Sequence, residues 1–296
     1  MNHSNQPKTE QPPAIVDEKG PWPVVTRRVF HSADGRKLIW SSRHHRKSLF
    51  IRAAVEAEGI ALTLLRCLWM PGRLNWWIGA IFAIGSLFFA WASVLFLAPT
   101  LAKTLSLDIA GVNAIYFTGS IPFTIAAYLQ LFQAANAGDF IDDGRRSPQR
   151  PMLFGWRPHD IGWLSCALQF AGTILFNINT FDAMIPSLTW FQEDLVIWGP
   201  NIFGSILFLT SGYMAFIESC HAHWTWKPMS ISWWLVFNNL LGCIGFMLAA
   251  PFAIFLSGPE NAWTASLSVL FTLIGAVHFF IGSLLMLVEE ISPDEH

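Results

Sequence analysis

Along most of this chain, apolar residues do not alternate with polar ones; they run on. Six segments are nearly free of Lys, Arg, Asp and Glu: Trp76–Leu97, Gly111–Phe132, Asp160–Ile178, Leu195–Ile217, Ser232–Leu256 and Trp263–Val288. About twenty apolar residues, rising 1.5 Å each, cross the hydrocarbon of a bilayer. Only a helix or a closed barrel satisfies its own backbone there. The pattern predicts an all-α membrane protein of six transmembrane helices, preceded by a small polar N-terminal region. Residues 1–22, rich in Pro, Gln, Glu and Lys, predict a disordered tail. Over 23–68, Val24–Phe30 and Arg36–Ser42 flank Asp34-Gly35, a favoured tight turn, which predicts a β-hairpin. The basic run Arg43-His44-His45-Arg46-Lys47 follows. Ser48–Leu68 then carries Phe50, Ala53, Ala57, Ala61, Leu64 and Leu68 at spacings of three and four, an amphipathic helix.

Composition agrees with the pattern. Of 296 residues only 13% are charged, about half the share usual in soluble domains, and the mean hydropathy is +0.43. A net charge of −2 gives no basic excess for nucleic acid, and four scattered cysteines make no disulfide framework. The start of the chain has no apolar core of a signal peptide, so the first span is expected to act as its own insertion signal. Seventeen of the eighteen Lys and Arg fall on one side of the six spans, Lys103 being the exception. The positive-inside rule then puts both termini in the cytoplasm, as in a bacterial inner (plasma) membrane. The basic cluster beside an amphipathic helix is expected to meet anionic lipid, at about 1 kcal/mol per cation. Twelve of fifteen tryptophans lie near predicted span ends and read as an interfacial belt.

Aligned with one another, the spans repeat. The pattern W-x-P-x4-W-x8-G-x3-F occurs at Trp69, Pro71, Trp76, Gly85 and Phe89, at Trp156, Pro158, Trp163, Gly172 and Phe176, and at Trp226, Pro228, Trp233, Gly242 and Phe246. The even spans share G-x3-F-x3-small at Gly119, Gly204 and Gly275, followed by Gln133, Glu218 and Glu289 in register. Three helical hairpins are expected, over 69–135, 156–220 and 226–291. Gly and small residues four apart lie on one face and let helices approach in lipid, so these stripes read as a seam within each hairpin. A Gly-lined permeation path is the other reading. The runs Gly79–Phe88, Gly204-Ser205-Ile-Leu-Phe208 and Gly282-Ser283-Leu-Leu resemble the YrhK-like family of two-helix membrane domains. That resemblance implies architecture over the hairpins and supplies no substrate, cofactor or catalytic residue.

Candidate chemistry is sparse. An ionisable group inside a membrane is costly and is a functional candidate by default. His278 sits mid-span, as a proton relay, a ligand site or a neutral hydrogen-bonded imidazole. Gln169 and Asn239 occupy equivalent positions three residues before the seam Gly, with Asn238 adjacent; they read as interhelical glue or as a polar path. Cys220, His221 and His223, beside Glu218, form a weak metal candidate, since thiolate and imidazole suit zinc. The repeat-related Glu218 and Glu289 end their helices where acid opposes the dipole, so a basic partner such as Arg157 or Lys227 is expected. No phosphate loop, nucleophile elbow or H-E-x-x-H motif is present. The reading is a non-enzymatic interaction protein without a cofactor; the alternative is a small transporter or channel with a polar path between the hairpins.

Overall fold

The computed structural model describes residues 14–31, 37–47, 67–137, 151–185, 188–253 and 262–289. The N-terminal region opens with a three-stranded antiparallel sheet, β1 (Ala14–Lys19), β2 (Arg27–His31) and β3 (Lys37–Ser41), in the order β1-β2-β3. The strands expected on either side of Asp34-Gly35 are β2 and β3, with Arg27 opposite Ser41 and Val29 opposite Ile39. Of the segment 1–22 expected to be disordered, residues 1–13 lie outside the described residues and Ala14–Lys19 forms β1. Ala14–Lys19 pairs with β2, because a backbone edge offers hydrogen bonds to any strand-compatible segment, polar or not. A short helix, α1 (Ser42–Lys47), follows β3 directly. Most of the amphipathic segment 48–68 lies outside the described residues.

Among the described residues, six helices are long and apolar enough to cross a membrane. They are built from α2 (Leu74–Leu97), α4 (Ile109–Ala135), α5 (Ile161–Asp182), α7 (Gly199–Cys220), α8 (Ile231–Phe252) and α9 (Ala262–Glu289). The short α3 (Pro99–Thr104) joins α2 to α4. The short α6 (Trp190–Glu193) runs through a π-helical turn, Asp194–Trp198, into α7. Asp108, Asp160 and Ser230 cap α4, α5 and α8 by accepting backbone N–H groups of the first turn. Each spanning helix packs on the next, and α9 returns to α2, so the six close into a ring. The end bearing the sheet is termed basal and the opposite end distal.

The seam residues meet within each helix pair. A Cβ added at Gly85 would lie 2.7 Å from the Phe123 ring, and one at Gly172 would lie 2.6 Å from that of Phe208. One at Gly242 would lie 2.9 Å from Phe279. The contact is reciprocal: Gly119, Gly204 and Gly275 face Phe89, Phe176 and Phe246 at 3.0, 3.3 and 2.7 Å. These six rings then meet across the middle of the bundle. Phe89 and Phe176 pack on Phe246 at 5.8 and 5.4 Å, while Phe123 and Phe208 pack on Phe279 at 5.8 and 6.0 Å. All six are buried. The Gly stripes therefore line ring-filled contacts, and the centre is apolar and closed.

The tryptophans divide into two kinds, which corrects the single-belt reading. Trp76, Trp163 and Trp233 are buried. Each donates its indole N–H to a carbonyl of the turn ahead of its own helix: Cys67 at 2.8 Å, Phe154 at 3.1 Å and Thr225 at 2.7 Å. Trp69, Trp156 and Trp226 are exposed and stand edge-on against them, with centroids 5.6, 5.4 and 4.7 Å apart. An indole N–H needs a partner when buried, and the turn carbonyl provides it. The inner tryptophan of each motif locks the helix entry; the outer one is left for the interface.

Candidate functional site

The main concentration of buried charge lies at the basal end, where α1 enters the ring. In α1 the spacing of Arg43, Arg46 and Lys47, i, i+3 and i+4, puts three cations on one helical face. That face is buried: the three are 3–4% exposed. Their partners are the two carboxylates that end α7 and α9. Arg46 Nη2 donates to Glu218 Oε2 at 2.7 Å, and Ser42 Oγ donates to Glu218 Oε1 at 2.7 Å. Arg43 donates to Glu289 Oε1 through Nε and Nη2 at 3.1 and 3.0 Å. Lys47 Nζ donates to Glu289 Oε2 at 2.5 Å, and Ser232 Oγ to Oε1 at 2.7 Å.

Three members of the basic cluster, Arg43, Arg46 and Lys47, are thus buried against carboxylates rather than exposed at a surface. The partners of Glu218 and Glu289 are likewise not Arg157 or Lys227 but cations from the other end of the chain. Acid at a helix C-terminus is unfavourable to the dipole, and the inserted cations offset it. Gly162 makes room: a Cβ there would lie 2.4 Å from Glu218 Oε1 and 2.6 Å from Arg46 Nε. At the matching position of the first helix pair stand Asn75 and Gln133, both buried. Both polar side-chain atoms of Asn75, and Oε1 of Gln133, have no hydrogen-bond partner among the described residues.

Three cations face two carboxylates, and the imbalance falls on Lys47. Burial and then the neighbouring Arg43 outweigh Glu289 and push its ammonium down to about 8. Arg46 moves the other way: burial disfavours its charge, but the Glu218 carboxylate more than reverses that and raises it above the ordinary arginine range.

The sheet is fixed to the same end. Thr26, fully buried, shares a 2.9 Å hydrogen bond with His221 Nδ1, and its carbonyl accepts the backbone N–H of Ser42 at 2.9 Å. His221 caps α7 in a left-handed conformation (φ 59°). Burial, followed by the charges of Lys227 and Arg27, pushes its imidazole down to about 4.

The residues singled out from sequence separate. Cys220 is buried, His221 meets Thr26, and His223 Nδ1 meets the Tyr213 hydroxyl at 3.1 Å. Among the described residues no group of three His, Cys, Asp or Glu side chains is placed to hold a metal. His278 and Asn238 come together: Nδ1 lies 3.0 Å from Asn238 Oδ1, and the Asn238 amide donates to the Trp234 carbonyl at 2.9 Å. This joins α8 to α9 side by side. Asn239 packs against Gly282 of α9, whereas Gln169 lies on α5. The four do not form one polar file. Comparison with protein-family models, with curated proteins and with solved structures returns no match. The salt-bridged insertion was missed from sequence, although its signal, three cations on one face of a six-residue helix, was present.

Proposed function

We propose that the chain is a non-enzymatic, non-conducting membrane protein that holds its N-terminal sheet as an interaction surface at one face of the bilayer. The observation that carries this reading is the pairing of Arg43, Arg46 and Lys47 with Glu218 and Glu289. It ties residues 42–47 to the ends of two spanning helices and leaves the sheet no free tether. The exposed Ile15 and Val16 on the edge strand β1 then offer backbone and apolar groups for pairing. By the distribution of Lys and Arg this face is cytoplasmic, in a bacterial inner membrane. The three helix pairs are read as copies of one hairpin, with the likeness to YrhK-like domains extending to each. Anionic lipid remains a partner for the exposed basic residues of the region, not for the buried three.

The transporter reading would need a continuous polar path, and the six central phenylalanines stand across it. Ion and proton flux into liposomes carrying the full chain tests the point. Wild type and His278→Leu are both expected to match empty vesicles. Protein-dependent flux that falls in His278→Leu would establish the transporter instead.

A further inference from the structure

The distal end holds a cavity of about 250 Å³. Its floor is Phe89, Phe176 and Phe246, the central rings contributed by α2, α5 and α8. Above them Tyr116, Ile197, Phe252 and Val269 form apolar walls, and none of the described lining residues carries a formal charge. Three carboxamides from three helices also line it: Asn113 in the first turns of α4, Asn179 in the last turn of α5 and Asn201 at the start of α7. Apolar rings thus lie deep and amides near the mouth.

The amides are positioned and incompletely used. Asn113 Nδ2 donates to the Ala183 carbonyl and Asn179 Nδ2 to the Ile197 carbonyl, both at 2.7 Å. Each bond fixes its carboxamide while leaving Oδ1 and the second N–H for another molecule. A second, independent feature lies at the same place. The chain enters α7 through the π-helical turn Asp194–Trp198, which supplies that Ile197 carbonyl. It is pinned by Trp198 Nε1 donating to the Ala250 carbonyl at 2.8 Å. Such turns are rare and concentrate at functional sites.

We infer that this cavity binds an uncharged, flat, mostly apolar molecule of about 10 to 20 heavy atoms bearing a hydroxyl, carbonyl or amide at one end. The body lies on the phenylalanine floor, and the polar end meets Asn113, Asn179 and Asn201. An ion is disfavoured because no described lining residue supplies a countercharge and burial of an unpaired charge is costly. The inference rests on the closed centre of the preceding reading, since the same rings form the floor; flux reports on that closure, whereas occupancy is read separately.

The test uses 4-hydroxybenzophenone, a neutral photoreactive probe of about 15 heavy atoms with one hydroxyl. The full chain in lipid nanodiscs is irradiated with it, and the adducts are mapped by mass spectrometry. Saturable labelling is expected on peptides carrying Phe96, Ile197 or Val269, reduced about tenfold by excess unreactive 4-hydroxydiphenylmethane. Filling the cavity with Ala265→Trp, or Val269→Phe if the first variant fails to fold, is expected to lower the yield about tenfold. Asn179→Leu is expected to lower it about fivefold. Labelling that does not saturate, that falls on the exposed Ile84, Ile125 and Leu284, or that resists the competitor in the wild-type chain would overturn the site.

Discussion

At the scale of single residues, the basal ion pairs set the largest energies. Two buried charges held together cost little net, but one left alone costs about 3–5 kcal/mol. Glu218→Gln leaves Arg46 buried without its carboxylate and is expected to lower stability by about that amount, read as the unfolding midpoint of the purified chain in detergent. Adding Arg46→Met should restore most of the loss, since an apolar replacement of the whole pair is close to neutral. Glu218→Gln and Arg46→Met effects that merely add would show that the two side chains do not interact. Lys47 carries the pH dependence. Its ammonium falls from the ordinary 10.5 to about 8 on folding. Below pH 8 it is charged in both states and the folded chain bears the full penalty. Between 8 and 10.5 the unfolded chain holds more protons, so stability rises with pH over that window. Lys47→Met should flatten this rise relative to wild type, as followed by melting temperature from pH 8 to 10.

At the scale of elements, the contacts between helices and the attachment of the sheet respond to different perturbations. Phe246 touches Phe89, Phe176, Phe208 and Phe279. Phe246→Ala is expected to cost about 3–5 kcal/mol, whereas truncating the lipid-facing Leu284 should change the midpoint little. The sheet responds to acid. The imidazole of His221 drops from 6.5 to about 4 on folding, so the unfolded segment binds the extra proton between these values and docking weakens as pH falls from 6.5 to 4. Hydrogen exchange in β1 and β2, corrected for the intrinsic rate, should speed up on going from pH 7 to pH 5. His221→Gln should remove that dependence, because glutamine keeps a partner for Thr26 without titrating. How much was legible also differs between elements. The spans could be read because a bilayer admits few solutions for twenty apolar residues, and the seam because Gly and Phe recur at fixed spacing. The strand Ala14–Lys19 was not legible: its sequence, Ala-Ile-Val-Asp-Glu-Lys, owes its conformation to the edge of β2. The insertion of α1 was hidden for a related reason. A run of Arg, His and Lys is ordinarily solvated, and only carboxylates 172 to 246 residues away in sequence make burial tolerable.

At the scale of the molecule, the ring of helices is closed across its middle and at its basal end, and is hollow distally. The basal and distal properties come from different residues, the α1 ion pairs and the three amides, whereas the aromatic floor is shared with the central closure. Loss of probe labelling in Ala265→Trp is therefore expected to leave sheet docking unaltered, and acid release of the sheet is expected to leave the cavity in place.

The joining of Arg43 and Lys47 to Glu289 also bears on how the chain is made. Synthesis runs from the amino end, so these two cations emerge long before the carboxylate that receives them. Until α9 has been threaded they have to wait in water, where they can retain the amino end on its own side of the bilayer. Once Glu289 arrives they are withdrawn from water, and cations exposed during synthesis become the latch of the finished chain.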